Sequence, residues 1–264
     1  MDKLLEIKDL TVKIGERYVT ENVNVPLYAG SITALVGESG SGKTITALSV
    51  LKILPETASI ERGEILFSGK DLLKTSEAEM RGIRGKRIAM VFQEPFAYLN
   101  PVMRIGEQIG EVIRTHEGRS KKDTLSYTEY LLKTVKLSSD TALSYPHEMS
   151  GGMCQRAMIA MALACDPEVL ILDEPTTALD VSVQKDILDL IVKIQREKLL
   201  GILFITHDLS VVSMIADSVH IMKEGRILEF GSKEKVLNDP GHAYTRHLIA
   251  CIPRLGDKRE RLAA

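Results

Sequence analysis

The sequence has 264 residues, a length that fits one large domain with a substantial core. Hydrophobic residues make up 44% and charged residues 27%, the balance of a globular protein in water. A net charge of −2 gives no bulk attraction to nucleic acid, and no run approaches the roughly 20 apolar residues that cross a bilayer. Any passage through a membrane must therefore be made by another chain. The N-terminus, MDKLLEIKDL, lacks an apolar stretch of signal-peptide length. Cys154, Cys165 and Cys251 are widely spaced, without metal-ligand spacing, and read as small hydrophobes in a reducing compartment.

LLEIKDLTVKI alternates apolar and polar residues and predicts a strand, as does ENVNVPLYAG after the turn-like Ile14–Gly15–Glu16. SITALV, from Ser31 to Val36, predicts a buried strand that runs into the glycine-rich GESGSGKT. Ile45, Leu48 and Leu51 then mark a helix that must end before Pro55. Gly63 to Leu72 predicts a hairpin, and Arg87 to Gln93 another buried strand. From Glu94 to Ala164 the pattern is helical and more polar. Strands return at VLILD (Val169 to Asp173), ILFIT (Ile202 to Thr206) and SVHIM (Ser218 to Met222), with a helix through Ile187, Leu190 and Ile194 between the first two. Lys223 to Arg226 forms a tight turn into RILEFG, and KRERLAA at the end reads as a solvated tail. The fold class is therefore α/β, with a mostly parallel core sheet, an N-terminal antiparallel β subdomain and an inserted α-helical subdomain. Residues 1–93 and 165–264 are expected to form the core and β subdomain, and 94–164 the insertion, within one domain of 1–264.

Gly37 to Thr44, G-E-S-G-S-G-K-T, fits the P-loop pattern, between a predicted strand and a predicted helix as that loop requires. The glycines let backbone N–H groups turn toward a phosphate, and the helix adds its positive N-terminal end. Lys43 supplies a mobile cation, and the Thr44 hydroxyl is a hard oxygen ligand suited to Mg²⁺. Gly37, Ser39, Gly40, Ser41, Gly42, Lys43 and Thr44, with Thr46 in the following helix, form the candidate nucleotide phosphate site, which by itself leaves kinase, GTPase, helicase and transporter motor open. Val169 to Glu174 is an apolar strand ending in two carboxylates. At the carboxyl edge of the sheet Asp173 can orient Mg²⁺, and Glu174 can polarise an attacking water as general base.

Residues 149–156, M-S-G-G-M-C-Q-R, resemble the signature motif of ABC (ATP-binding-cassette) ATPases, commonly L-S-G-G-Q, at the family's distance before the Asp–Glu pair. The resemblance implies that Ser150, Gly151 and Gly152 cradle the γ-phosphate of ATP held by an opposite subunit. It also implies that Gln93 is the Q-loop glutamine that contacts Mg²⁺ and senses a membrane subunit. Ala178–Leu179–Asp180 resembles the D-loop at the dimer interface, and His207 the switch histidine at the γ-phosphate. The family slot for an adenine-stacking aromatic falls on Ile14, with Tyr18 the nearest aromatic.

A finer resemblance, carried by F-Q-E-P-F-A-Y-L-N-P-V (Phe92 to Val102), M-S-G-G-M-C-Q-R-A-M-I-A-M-A-L and D-P-G-H-A-Y-T-R-H-L (Asp239 to Leu248), is to one importer branch. That branch moves oligopeptides, dipeptides, nickel and metal–metallophore complexes. Met153 replaces the usual glutamine of the signature, as recurs in the branch, and Ala243 the proline of its H-P-Y-T motif. The S-G-G-M variant resembles the first of two paired ATPases, which implies a heterodimer with a paralogue. The further partners implied are two integral-membrane permeases and an extracytoplasmic solute-binding protein, with no nucleic acid, at the cytoplasmic face of the membrane. With only Cys251 near the end, no iron–sulfur centre is expected, and the short tail resembles the nickel or metallophore members more than the peptide ones. His242 and His247 lack a carboxylate or thiol companion and read as structural. The rivals are a soluble ABC protein acting on ribosomes or DNA, a non-enzymatic regulatory cassette, a small-molecule kinase and an exporter motor. The first would need tandem cassettes or a coiled coil, and intact Lys43, Asp173, Glu174 and His207 argue against the second. The signature segment argues against the third, and the branch resemblance against the fourth.

Overall fold

A computed structural model describes residues 3–177 and 179–250. Ala178 of the D-loop-like segment, Cys251 and the KRERLAA tail lie outside the described residues. The chain begins with β1 (Lys3–Ile14), β2 (Arg17–Tyr28), β3 (Ile32–Val36), α1 (Lys43–Leu51), β4 (Ala58–Phe67), β5 (Lys70–Asp71) and α2 (Glu77–Arg81). After β6 (Ile88–Val91) come α3 (Pro95–Tyr98), α4 (Ile105–Glu117), α5 (Lys121–Thr134), a 3₁₀ turn at Ser139–Leu143, and α6 (Gly151–Ala162). The last part alternates again: β7 (Val169–Asp173), α7 (Val181–Lys198), β8 (Gly201–Thr206), α8 (Leu209–Ile215), β9 (Ser218–Lys223), β10 (Arg226–Ser232), α9 (Lys233–Asn238) and α10 (Ala243–Ala250).

The strands form two sheets. One is antiparallel, in the order β2-β1-β4-β5, with Ile14 facing Arg17 across the first turn. Ser68 and Gly69, both at positive φ, join β4 to β5 in the sense that matches strand twist. The other sheet runs β10-β9-β3-β8-β7-β6 and is parallel except for the β10–β9 pair. Every residue of β3, β7 and β8 is buried, because helices or the other sheet cover both faces. Hence these strands read as continuous apolar runs. Parallel alignment brings the carboxyl ends of β3, β7, β8 and β6 to one edge of the sheet, where ligands bind in open α/β folds.

Two cores share the parallel sheet. On one face α1 lies between the sheets, with Ala47 and Val50 against Leu5, Val25, Ile171 and Leu203. On the other, Leu170, Leu172 and Phe204 pack with α7 and with the α4–α6 helices through Ile109, Leu131 and Ile159. The rotation of α1 differs from the sequence expectation. Ala47, Val50 and Leu51 are its buried apolar residues, while Ile45 and Leu48 are only half-buried. Its first turn has to carry Lys43 at the mouth of the loop, and that sets which residues face inward. Left-handed Lys52 ends the helix three residues before Pro55.

Candidate active site

The loop from Gly37 to Gly42 is shaped by close contacts that admit no side chain. A Cβ on Gly37 would run into the Met222 carbonyl oxygen and lie 2.7 Å from Ser41 Oγ. Gly42 has φ 107°, and a Cβ there would stand 2.7 Å from the Val19 carbonyl oxygen. The loop thus wraps between β2 and β9, fixed by a bond from Gly225 N–H to the Ser41 carbonyl of 3.0 Å. Lys43, 5% exposed, curls back and donates to the carbonyls of Gly37 (2.8 Å) and Glu38 (2.9 Å). Burial lowers its pKa, opposed by the charges of Glu174 and Asp173. A buried cation held by neutral carbonyls is primed to exchange them for an anion.

Gly40, Gly42, Ser39, Lys43 and Thr44 line a cleft of about 160 Å³ together with Val19, Ile45, Gln93 and Glu174. Glu174 is its junction. Its Oε1 faces Lys43 Nζ at 3.9 Å. Its Oε2 meets His207 Nδ1 at 3.1 Å and accepts from Thr177 Oγ1 at 3.0 Å and Gln93 Nε2 at 3.4 Å. The backbone of Glu174 is left-handed, φ 45°, and its N–H is tied to the Ile205 carbonyl at 3.0 Å. Such a conformation is costly for a residue with a Cβ and persists where the surroundings enforce it.

Asp173, at the end of β7, is 3% exposed. Burial raises its pKa, against the lowering effect of a hydrogen bond from the Thr44 side chain and of the Lys43 charge. Its Oδ1 is buried without a hydrogen-bond donor. An orphaned carboxylate oxygen beside a threonine hydroxyl is a hard, oxygen-only donor pair, and this fits Mg²⁺.

A second cleft of about 460 Å³ shares Val19, Ser39 and Gly40 with the first and adds Ile14, Arg17, Tyr18, Glu224 and Gly225. Both sequence candidates for the adenine contact, Ile14 and Tyr18, therefore line one hollow beside the loop. The Tyr18 ring is half-exposed, with Lys13 Nζ 5.6 Å from its centroid.

The structure places other expected residues elsewhere. Thr46 is fully buried, and its hydroxyl donates to the Gly42 carbonyl at 2.9 Å, away from the cleft. Ser41 is buried too, its hydroxyl unpartnered. Ser150, Gly151, Gly152 and Asp180 line neither cleft. Ser150 caps α6 by accepting from Met153 N–H, and Asp180 caps α7 by accepting from Ser182 and Val183 N–H. Gly152 is buried under α7, where a Cβ would stand 2.5 Å from Val183 Cγ1. Reading the sequence missed Thr177, Val19 and Arg17. A threonine one turn beyond Glu174 was the available signal for the first. The other two reach the site only through sheet pairing.

The chain matches the ABC transporter family over residues 20–177 and the oligopeptide/dipeptide transporter C-terminal region over residues 228–264. It is 46% identical over 265 residues to the oligopeptide transport ATP-binding protein OppD of Bacillus subtilis, covering 98% of this chain and 74% of that one. Identity to the dipeptide transport ATP-binding protein DppD of the same organism is 43% over 262 residues, covering 97% and 78%. With the glutathione import ATP-binding protein GsiA of Salmonella typhimurium it is 47% over 246 residues, 90% of this chain but 40% of that protein. Among solved structures, cbiO1 of Clostridium perfringens superposes with a TM-score of 0.80 at 27% identity, over 90% of this chain and 92% of that one. An ATP-binding cassette solved as a post-hydrolysis dimer with ADP and Pi gives a TM-score of 0.77 at 26% identity, over 87% and 98%. A match that takes in both the P-loop and Thr177, on the fold of solved ATP-binding cassettes, places this chain in the ABC transporter family as an ATPase subunit.

Proposed function

We propose that this chain is the ATP-hydrolysing subunit of an importer that drives the uptake of short peptides. The observation that carries the hydrolytic reading is the junction at Glu174, where a carboxylate on a strained backbone gathers Lys43, Gln93, His207 and Thr177 beside the P-loop. The cargo reading rests on the C-terminal segment and on relatives whose names speak of oligopeptides, dipeptides and glutathione, all peptides. These favour peptides over nickel and metallophore complexes as cargo.

Backbone N–H groups of the loop and the Lys43 ammonium hold the ATP phosphates, Lys43 giving up its two carbonyl partners. Tyr18, Ile14 and Arg17 offer a bed for the base. Asp173, Thr44 and Gln93 would hold Mg²⁺, which supplies charge neutralisation at the phosphate oxygens when bound. Thr177, Gln93 and His207 fix the Glu174 carboxylate so that it can take a proton from the attacking water, and His207 would serve the γ-phosphate. Ser150 to Gly152 and Asp180, outside this cleft, serve ATP held by a second cassette, preferably a paralogue. Among the described residues no helix is long and apolar enough to cross a membrane. The crossing then falls to two permease subunits, fed by a solute-binding protein, with this chain peripheral at the cytoplasmic face. Exposed Phe96, Tyr98 and Val102, directly after Gln93, offer the apolar surface for a permease.

The test is Glu174→Gln. Turnover of ATP should fall by about 10²–10⁴-fold while ATP still binds and the closed dimer accumulates in gel filtration. Undiminished turnover removes Glu174 from the role of base.

A further inference from the structure

A cavity of about 750 Å³, larger than either nucleotide cleft, lies away from the nucleotide site. It lies between α4, α5 and the 3₁₀ turn at Ser139–Leu143, and its size is that of a small-molecule pocket. Its charges are arranged by end. Arg114, near the end of α4, and Lys121, at the start of α5, meet where the two antiparallel helices join. Glu107, Glu129 and Asp140 lie toward the other end, where three carboxylates outnumber the one guanidinium of Arg104, whose Nη1 donates to the Leu143 carbonyl at 3.0 Å. That end is pinned by Gly106, where a Cβ would stand 2.9 Å from both Cβ and O of Ala142 in the 3₁₀ turn. Among the described residues, the side chains of Arg114, Lys121, Glu129 and Asp140 have no ion-pair or hydrogen-bond partner. Between the ends the wall is uncharged and includes exposed Leu125 and Leu143. It also holds Thr128, 3% exposed, whose hydroxyl is buried without a partner.

The spacing of the charges selects the ligand. Glu107 Oε2 accepts from Arg104 N–H at 3.2 Å, which holds that carboxylate beside the first turn of α4. The Arg114 guanidinium folds back over Gly110, where a Cβ would meet its Nη1 at 3.0 Å. Arg104 to Gly110 is six residues, about 9 Å along a helix at about 1.5 Å per residue. A peptide of two or three residues, extended at about 3.5 Å per residue, places its ammonium and carboxylate about 7–10 Å apart. We propose that this cavity binds short peptides through both free termini, the carboxylate at Arg114 and Lys121 and the ammonium at the acidic end. The apolar wall takes the side chains. The inference rests on the peptide-import reading for the identity of the cargo, since an importer subunit of this kind meets its transported product. Occupancy would stiffen α4 against α6, the helix that carries the signature segment.

Calorimetric titration of the full chain with tri-L-alanine tests it. Saturable binding is expected, lost on N-acetylation or C-amidation of the peptide. The double charge reversal Arg114→Glu with Lys121→Glu should weaken it about tenfold or more, while ATP binding is unchanged. No binding up to about 10 mM, or equal binding of the doubly capped peptide, overturns the inference. Uptake of labelled tri-alanine by cells with and without this chain is read separately. Uptake that depends on the chain, with no binding to it, overturns the cavity inference alone. Uptake indifferent to the chain overturns the import reading.

Discussion

Gly152 offers a test that separates packing from chemistry within the signature segment. Replacing it with alanine puts a methyl 2.5 Å from Val183 Cγ1, where carbon atoms prefer about 3.5–4.0 Å, so α6 and α7 must part by about 1 Å. Overpacking of this kind costs about 1–3 kcal/mol. Against it stands about 0.5–1 kcal/mol gained by removing a glycine from a helix. Gly152→Ala should therefore destabilise the chain by about 1–2 kcal/mol in urea unfolding. Val183→Ala removes the obstructing methyls. In that background the same Gly152→Ala change should become neutral or stabilising by about 0.5 kcal/mol. The double-mutant cycle then gives a coupling of about 1–2.5 kcal/mol. Additive effects would refute the claim that Val183 is what requires glycine here. A double variant that regains stability but not ATP turnover would place a further demand on Gly152 at the dimer interface.

Three further expectations concern single groups. Thr177→Ala deletes one hydrogen bond to Glu174 Oε2 and should lower kcat about two- to tenfold with KM for ATP unchanged, and Thr177→Ser should restore it. His220 is buried, stacked on Phe230 and held neutral by desolvation, its pKa lowered from 6.5 to about 4. Below pH 6.5 the unfolded chain takes up a proton that the native chain refuses until about pH 4. Stability is therefore complete above that window and falls by about 3 kcal/mol across it as the pH drops. His220→Phe should flatten this part of the pH–stability curve, and an unchanged slope would mean that other groups produce it. Lys43→Met should abolish ATP binding with little change in thermal stability in the absence of nucleotide, because the desolvation cost of the buried cation is removed together with its attraction to Glu174 and Asp173.

Much of the fold was legible because its physics is local. Strands buried on both faces must be apolar throughout, so β3, β7 and β8 stand out as runs, and the P-loop announces itself through glycines and a lysine at fixed spacing. The rotation of α1 was not legible, since Ile45 and Leu48 are more apolar than Thr46 and Ala47 but the position of Lys43 decides which side faces inward. Nor was the company Glu174 keeps. Gln93, Thr177 and His207 are brought to one oxygen atom by the order β3-β8-β7-β6, which is a property of the whole sheet. Val19 and Arg17 reach the nucleotide clefts because β2 passes beside the loop, and nothing within the β2 segment records that neighbour.

The closure of the P-loop against Met222 and Gly225 bears on how the protein comes into being. On the ribosome, Gly37 to Thr44 emerge early, yet the wall that shapes them is made about 180 residues later in the chain. The central strand β3 likewise waits for β8 and β9 before it has either neighbour. A nascent chain halted before residue 220 would carry every atom of the phosphate loop and still lack its mould. Nucleotide binding is thus expected to be among the last properties the polypeptide acquires during synthesis.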